Sequence, residues 1–177
     1  PAIGGRAGDD VGVLVEGLRA AGIRRIEGRI IGDDDDIEEP RPSLAWTWDD
    51  LGYATGAIFG ALNLGENRLV VTVGAAATPG GATTLTVEPH AEGRPLVNRT
   101  VTGPAGSMRL LWPEQRPGET ALTIAGSIPA GAPLADLTVS AGNPTLWFAS
   151  VLRSRLQAGG IAVTGEALDV DDVLAHL

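Results

Sequence analysis

Apolar residues recur at helical spacing near both ends of the chain and at strand spacing through its middle. Val11, Leu14, Val15 and Leu18 fall at i, i+3, i+4 and i+7, with Asp9 and Asp10 before them and Gly22 after. That pattern predicts an amphipathic helix over 10–21, with acids at its positive end and a glycine C-cap. Ile26, Gly28 and Ile30 then alternate with Arg25, Glu27 and Arg29, the signature of a half-exposed strand. Farther on, apolar runs predict strands near 68–74, 83–88, 96–102, 107–112, 120–126 and 134–141. Pro79-Gly80-Gly81, Glu92-Gly93, Gly103-Pro104, Pro117-Gly118 and Pro129 to Pro133 separate them. No helical period interrupts this series, so an antiparallel β-rich middle is expected.

Helical spacing returns over 145–158, where Phe148, Val151, Leu152 and Leu156 make one stripe and Gly159-Gly160 end it. Ile161 to Val163 reads as a short strand. Asp171-Asp172 starts a last helix that is cut at Leu177. Leu18-Arg19-Ala20-Ala21-Gly22-Ile23 echoes Leu156-Gln157-Ala158-Gly159-Gly160-Ile161: a helix, a glycine, then a strand. Such an echo fits one αβ layer carrying an insertion as well as a true repeat. The expected fold is α+β, with a β-rich part over 41–142 between helix–strand pieces at 1–40 and 143–177.

One stretch departs from both periods. Between Leu44 and Val73 lie two of the four tryptophans, the single tyrosine and one of two phenylalanines. Its Trp46-Thr47-Trp48-Asp49-Asp50 turn sets carboxylates beside aromatic faces, on a segment too glycine-rich for a regular helix. Either Trp46, Trp48 and Tyr53 pack a corner and Asp50 caps a turn, or they shape a ligand surface.

Composition narrows the chemistry. A net charge of −9 opposes binding to nucleic acid, which requires clustered Lys and Arg. No apolar window is long enough to span a bilayer. All 13 basic residues are arginine, so no lysine base, nucleophile or Schiff base is available within this chain. Without cysteine there is no disulfide or thiol chemistry. The acidic run Asp33 to Asp36, with Glu38 and Glu39, lacks the glycine and terminal glutamate of an EF-hand and reads as a solvated loop. His90 and His176 have no spaced partner, so no metal site and no cofactor are expected. Gly106-Ser107 and Gly126-Ser127 lack the spacing of a nucleophile elbow. Taken by themselves, these residues contain no recognisable catalytic centre.

A series of motifs, in order, resembles the middle of the penicillin-binding D-alanyl-D-alanine carboxypeptidase/endopeptidase family of low molecular mass, class C (DacB-type). The matching stretches are Leu18 to Gly28, Gly32-Asp33, Trp46 to Asp50, Ala61-Leu62-Asn63-Leu64-Gly65-Glu66-Asn67, Leu122 to Pro129, and Asn143-Pro144 through Gly165. The resemblance implies a serine-peptidase domain interrupted by mostly β insertions. Ser-X-X-Lys lies before the insertion, and Ser-X-Asn and Lys-Thr-Gly lie after it. This chain has none of these motifs, as expected of the piece between them. It further implies that Asp50, Tyr53 and the neighbouring Trp48 contact the diamino-acid side chain of the peptidoglycan stem peptide. A carboxylate beside aromatic faces suits an ammonium group. One departure is the spacing from Asp50 to Tyr53, which is shorter than in relatives. The implied setting is periplasmic or extracytoplasmic, with the catalytic domain of the same polypeptide as partner. The alternative is a free-standing extracytoplasmic β-rich binding module without enzymatic activity.

Overall fold

The computed structural model describes residues 9–36, 46–89, 93–116 and 119–174. Expectations placed on Pro1, Glu38 to Pro42, Leu44, His90, Glu92, Pro117-Gly118, His176 and Leu177 lie outside those residues. The chain runs α1 (Asp9–Ala20), β1 (Arg25–Ile26) and β2 (Ile30–Gly32), then 3-10 turns at Trp48–Asp50, Ala54–Gly56 and Gly65–Asn67. Next come β3 (Arg68–Gly74), β4 (Thr84–Glu88), β5 (Leu96–Gly103), β6 (Leu110–Glu114), β7 (Leu122–Pro129) and β8 (Ala135–Ser140). It closes with α2 (Pro144–Ala158), β9 (Ala162–Val163), β10 (Ala167–Asp169) and α3 (Val170–Leu174). This is an α+β fold whose middle is almost entirely strand.

The echo in the sequence is an echo in space. Gly22 and Gly160 both adopt φ +83°, a left-handed conformation that glycine enters at little cost. The Ile23 amide reaches the Leu18 carbonyl at 3.0 Å and the Ile161 amide reaches that of Leu156 at 2.9 Å. Both helices therefore end in a Schellman motif. The strands that follow pair with each other in parallel: β1 with β9, Ile26 opposite Val163, and β2 with β10, Ile31 opposite Leu168. The alternating run at 25–30 breaks into two short strands where the halves cross. There the Gly165 amide donates to the Gly28 carbonyl at 2.8 Å, and a Cβ on Gly165 would collide with that carbonyl.

Two three-stranded sheets form the middle. One is antiparallel in the order β4-β3-β8. The other runs β5-β7-β6, and here β5 and β7 are parallel while β6 is antiparallel to β7. The antiparallel middle thus contains one parallel pair.

The larger core draws Leu69, Val71 and Val73 from β3, Leu122, Ile124 and Ile128 from β7, and Val139 from β8. Helices α2 and α1 cover it with Trp147, Val151 and Val11. A smaller core joins Val15, Leu156, Ile161 and Val163, flanked by Leu18, Ile23, Ile26 and Ile30, and Leu152 packs against both. The stripe on α1 is narrower than its sequence suggests. Val11 and Val15 are buried but Leu14 is 48% exposed. The cause is where α1 docks: Gly159 sits so close to Val15 that a Cβ there would strike its Cγ1 at 2.6 Å. That contact fixes the Val15 line inward and leaves the Leu14 face outside.

Candidate functional site

The Trp46–Asp50 turn folds on its own local bonds. Thr47 is extended, and the Asp50 amide donates to its carbonyl at 3.0 Å. Asp50 Oδ2 accepts in return from the Thr47 amide at 2.8 Å and from the Thr47 hydroxyl at 3.2 Å. A side chain that reaches back three residues to the N-cap amide is half of a capping box. Asp50 is therefore a cap, and its Oδ1 makes no hydrogen bond among the described residues. The aromatics beside it are not core. Trp48 is 73% exposed and Tyr53 41% exposed, while Trp46 is half-buried. A bridge between Tyr53 and Val139, and the Ser140 amide donating to the Gly52 carbonyl at 3.1 Å, tie the turn to β8. An acidic cap and two exposed aromatic side chains are thus tied to β8.

Asn67 anchors the far end of this segment. It is fully buried, sits at φ +54° and follows Glu66 at φ +57°. Its Oδ1 accepts from the Leu64 amide at 3.0 Å, and its Nδ2 donates to the Ile58 carbonyl at 2.7 Å and to Asn63 Oδ1 at 2.6 Å. The Ala141 amide closes the loop onto the Asn67 carbonyl at 2.8 Å. Asparagine tolerates the left-handed region better than other side chains that carry a Cβ. Asn67→Ala removes three side-chain hydrogen bonds worth about 1 kcal/mol each and adds backbone strain, so it is expected to cost about 3 kcal/mol or more. Urea denaturation of variant and wild type checks this. A cost below about 1 kcal/mol would show that the network is dispensable.

Behind the turn lies a cavity of about 420 Å³. It takes Leu51, Gly56 and Ile58 from the same segment, but Trp48, Asp50 and Tyr53 do not line it. Of its charged lining the sequence marks only Asp34, as part of the acidic run, while Arg94, Glu119 and Asp169 carry no local signal. Arg94, 5% exposed, donates from Nη1 to the Thr120 carbonyl at 2.8 Å and from Nη2 to Gln115 Oε1 at 2.6 Å. Burial pulls its pKa down to about 10. Asp34, 4% exposed, accepts from the Thr145 hydroxyl, and Asp169, 6% exposed, accepts from Asn143 Nδ2 at 2.6 Å. Burial pushes the Asp169 carboxyl above its ordinary value and the charge of Asp34 adds to the rise, while bonds from Asn143 and the Asp171 amide pull it back. The acidic run is therefore not wholly solvated: Asp34 turns inward because Thr145 and the positive end of α2 receive it.

The D-Ala-D-Ala carboxypeptidase 3 (S13) family matches residues 7–174. The chain belongs to this family. A D-alanyl-D-alanine carboxypeptidase of Actinomadura sp. (strain R39) is 26% identical over 171 residues, which make up 89% of this chain and 30% of that protein. The crystal structure of penicillin binding protein 4 (dacB) from Haemophilus influenzae superposes with a TM-score of 0.71 at 19% identity, over 93% of this chain and 36% of that one. The same protein in complex with a novel β-lactam gives 0.55 at 16% identity, over 93% and 34%. At these identities the structural likeness speaks to the fold. The S13-family chain spans about a third of the length of the relatives it matches.

Two signals in this S13-family segment were present in its residues. Thr47-Trp48-Asp49-Asp50 has the spacing of an N-terminal cap. Asn143-Pro144 also reads as a helix start, and the Asn143 side chain accepts from the Leu146 amide at 2.8 Å. Nothing local marks Arg94, which follows a glycine and precedes a proline like many surface arginines.

Proposed function

We propose that this chain is the non-catalytic middle segment of a serine-type D-alanyl-D-alanine carboxypeptidase or endopeptidase. It would act in peptidoglycan maturation outside the cytoplasmic membrane. The observation that carries the reading is a family match over 7–174 in a chain with no lysine. The lysine-bearing motifs that the family resemblance implies then belong to flanking sequence. The smaller core supports the division into 1–40, 41–142 and 143–177, since its residues come from both outer pieces and none from the middle.

In this reading Asp50, Trp48 and Tyr53 form one wall of the pocket for the stem peptide. Trp48 and Phe59, 73% and 64% exposed, belong to the face that meets the catalytic domain. A carboxylate oxygen without a hydrogen bond, on the same turn as exposed aromatic side chains, attracts an ammonium group. Among the described residues no helix is long and apolar enough to cross a membrane. The test is to label the full-length protein with a fluorescent penicillin and locate the acylated residue. Acylation of a serine outside residues 1–177, together with D-alanine release from a stem peptide, is expected. Absence of both would contradict the reading and favour a binding module without chemistry.

A further inference from the structure

The cavity behind the aromatic turn holds charge of both signs with no ion pair between them. Arg94 gives its two bonds to uncharged oxygens, and its Nε is buried without a partner. Asp34 likewise keeps a buried, unpartnered Oδ1. No salt bridge among the described residues involves Arg94, Asp34 or Asp169. Glu119, which also lines the cavity, is exposed and faces Arg116 at 3.9 Å. A buried charge is costly unless something opposite pairs with it. The N-terminus of α2 offsets part of the carboxylate charge; no such device serves Arg94. Instead the backbone makes room for it. Gly142, at φ +81°, lies so close that a Cβ there would meet Arg94 Nη1 at 2.7 Å.

The residues around these charges fit a binding site. The volume of about 420 Å³ falls in the range of small-molecule pockets. Leu51, Ile58 and Leu146 supply apolar wall beside the charged residues of the lining. The cavity also sits where the β-rich middle meets the helix–strand pieces, with lining from β2's neighbour Asp34, the strand-end residue Ser140, and Asp169 of β10. Junctions of this kind are common places for ligands.

We propose that this cavity binds a small zwitterion of about dipeptide size, its carboxylate taken by Arg94 and its ammonium by the end formed by Asp34 and Asp169. A simple anion would satisfy Arg94 but meet two carboxylates. A simple cation would satisfy the carboxylates but leave Arg94 unpaired. Only a ligand with both charges answers the whole lining. Trp48, Asp50 and Tyr53 take no part, so the site and its test are independent of the peptidase reading.

The test titrates three probes into the isotope-labelled full-length protein and follows the amide signals of Thr120, Gly142 and Asn143. Glycylglycine carries both charges, N-acetylglycine only the carboxylate and glycinamide only the ammonium. Saturable shifts of these three amides with glycylglycine are expected, with each singly charged probe at least about tenfold weaker. Arg94→Gln should weaken glycylglycine by at least about tenfold and Arg94→Lys by less. The comparison of probes on the wild type stands even if Arg94→Gln fails to fold. Equal binding of N-acetylglycine and glycylglycine would overturn the zwitterion assignment. Glycylglycine shifts that spare all three amides would overturn the site.

Discussion

Trp147→Ala is expected to cost the fold about 3–5 kcal/mol, the range for deleting a large aromatic from a packed core. Trp147 is 1% exposed and is the largest of the fully buried side chains. It projects from the first turn of α2 into the core shared with Leu69, Val71, Leu122, Ile124 and Val139. Removing it leaves a cavity beneath the helix that carries both Val151 and Leu156, so the two cores loosen together. For a domain of this size each kcal/mol moves the melting temperature by about 2–4 °C, so a drop of about 10 °C is expected. Trp147→Phe supplies the contrast. Its cost should be much smaller, because the indole Nε1 is buried without a hydrogen-bond partner and phenylalanine removes that unsatisfied donor along with some volume. If the two variants proved equally destabilised, the indole would be making a bond that this structure lacks.

The second large effect is expected at Asp50, in the full-length protein. Asp50→Asn keeps an oxygen to accept from Thr47, so the turn persists, but it removes the charge. For a stem peptide with a free ammonium on its diamino-acid side chain, kcat/KM should fall by about 10- to 100-fold, the equivalent of about 1.4–2.7 kcal/mol. For a peptide with that ammonium acetylated, the same substitution should change little. Trp48→Ala should act in the same direction, through loss of a cation–π face worth about 0.5–2 kcal/mol. A purely capping Asp50 gives another result. Both peptides would then respond alike, and Asp50→Ala would cost about 1 kcal/mol of stability with no selectivity.

The regular elements were legible because local pattern decides them. The strand expected at 68–74 is β3 residue for residue, and the helix expected over 10–21 is Asp9–Ala20. Its end was set by Gly22, whose left-handed φ the sequence announces by residue type alone. What sequence could not supply was pairing. The parallel match of Leu96 with Leu122 depends on how the chain crosses between β5 and β7, and no residue in either strand records it. β10 went unrecognised because three residues are too few to show a period, and its pairing with β2 is what makes it a strand. Burial of polar groups was the other gap. Asp34 sits among acids that are solvated, yet Thr145, 111 residues away, draws it inside. Arg94 is buried by Gly142, Thr120 and Gln115, which converge only in three dimensions. The aromatic turn lies between these cases. Its residues marked it as unusual, and the structure makes Asp50 a cap while leaving Trp48 open.

The measurement that tests the central claim most directly is the sequence of the reading frame on both sides of these 177 residues. The account predicts a Ser-X-X-Lys motif upstream, with Ser-X-Asn and Lys-Thr-Gly motifs downstream, all in frame. A start codon and signal peptide immediately before Pro1, with a stop codon immediately after Leu177, would contradict it. The aromatic turn would then belong to a binding module that performs no peptidase chemistry.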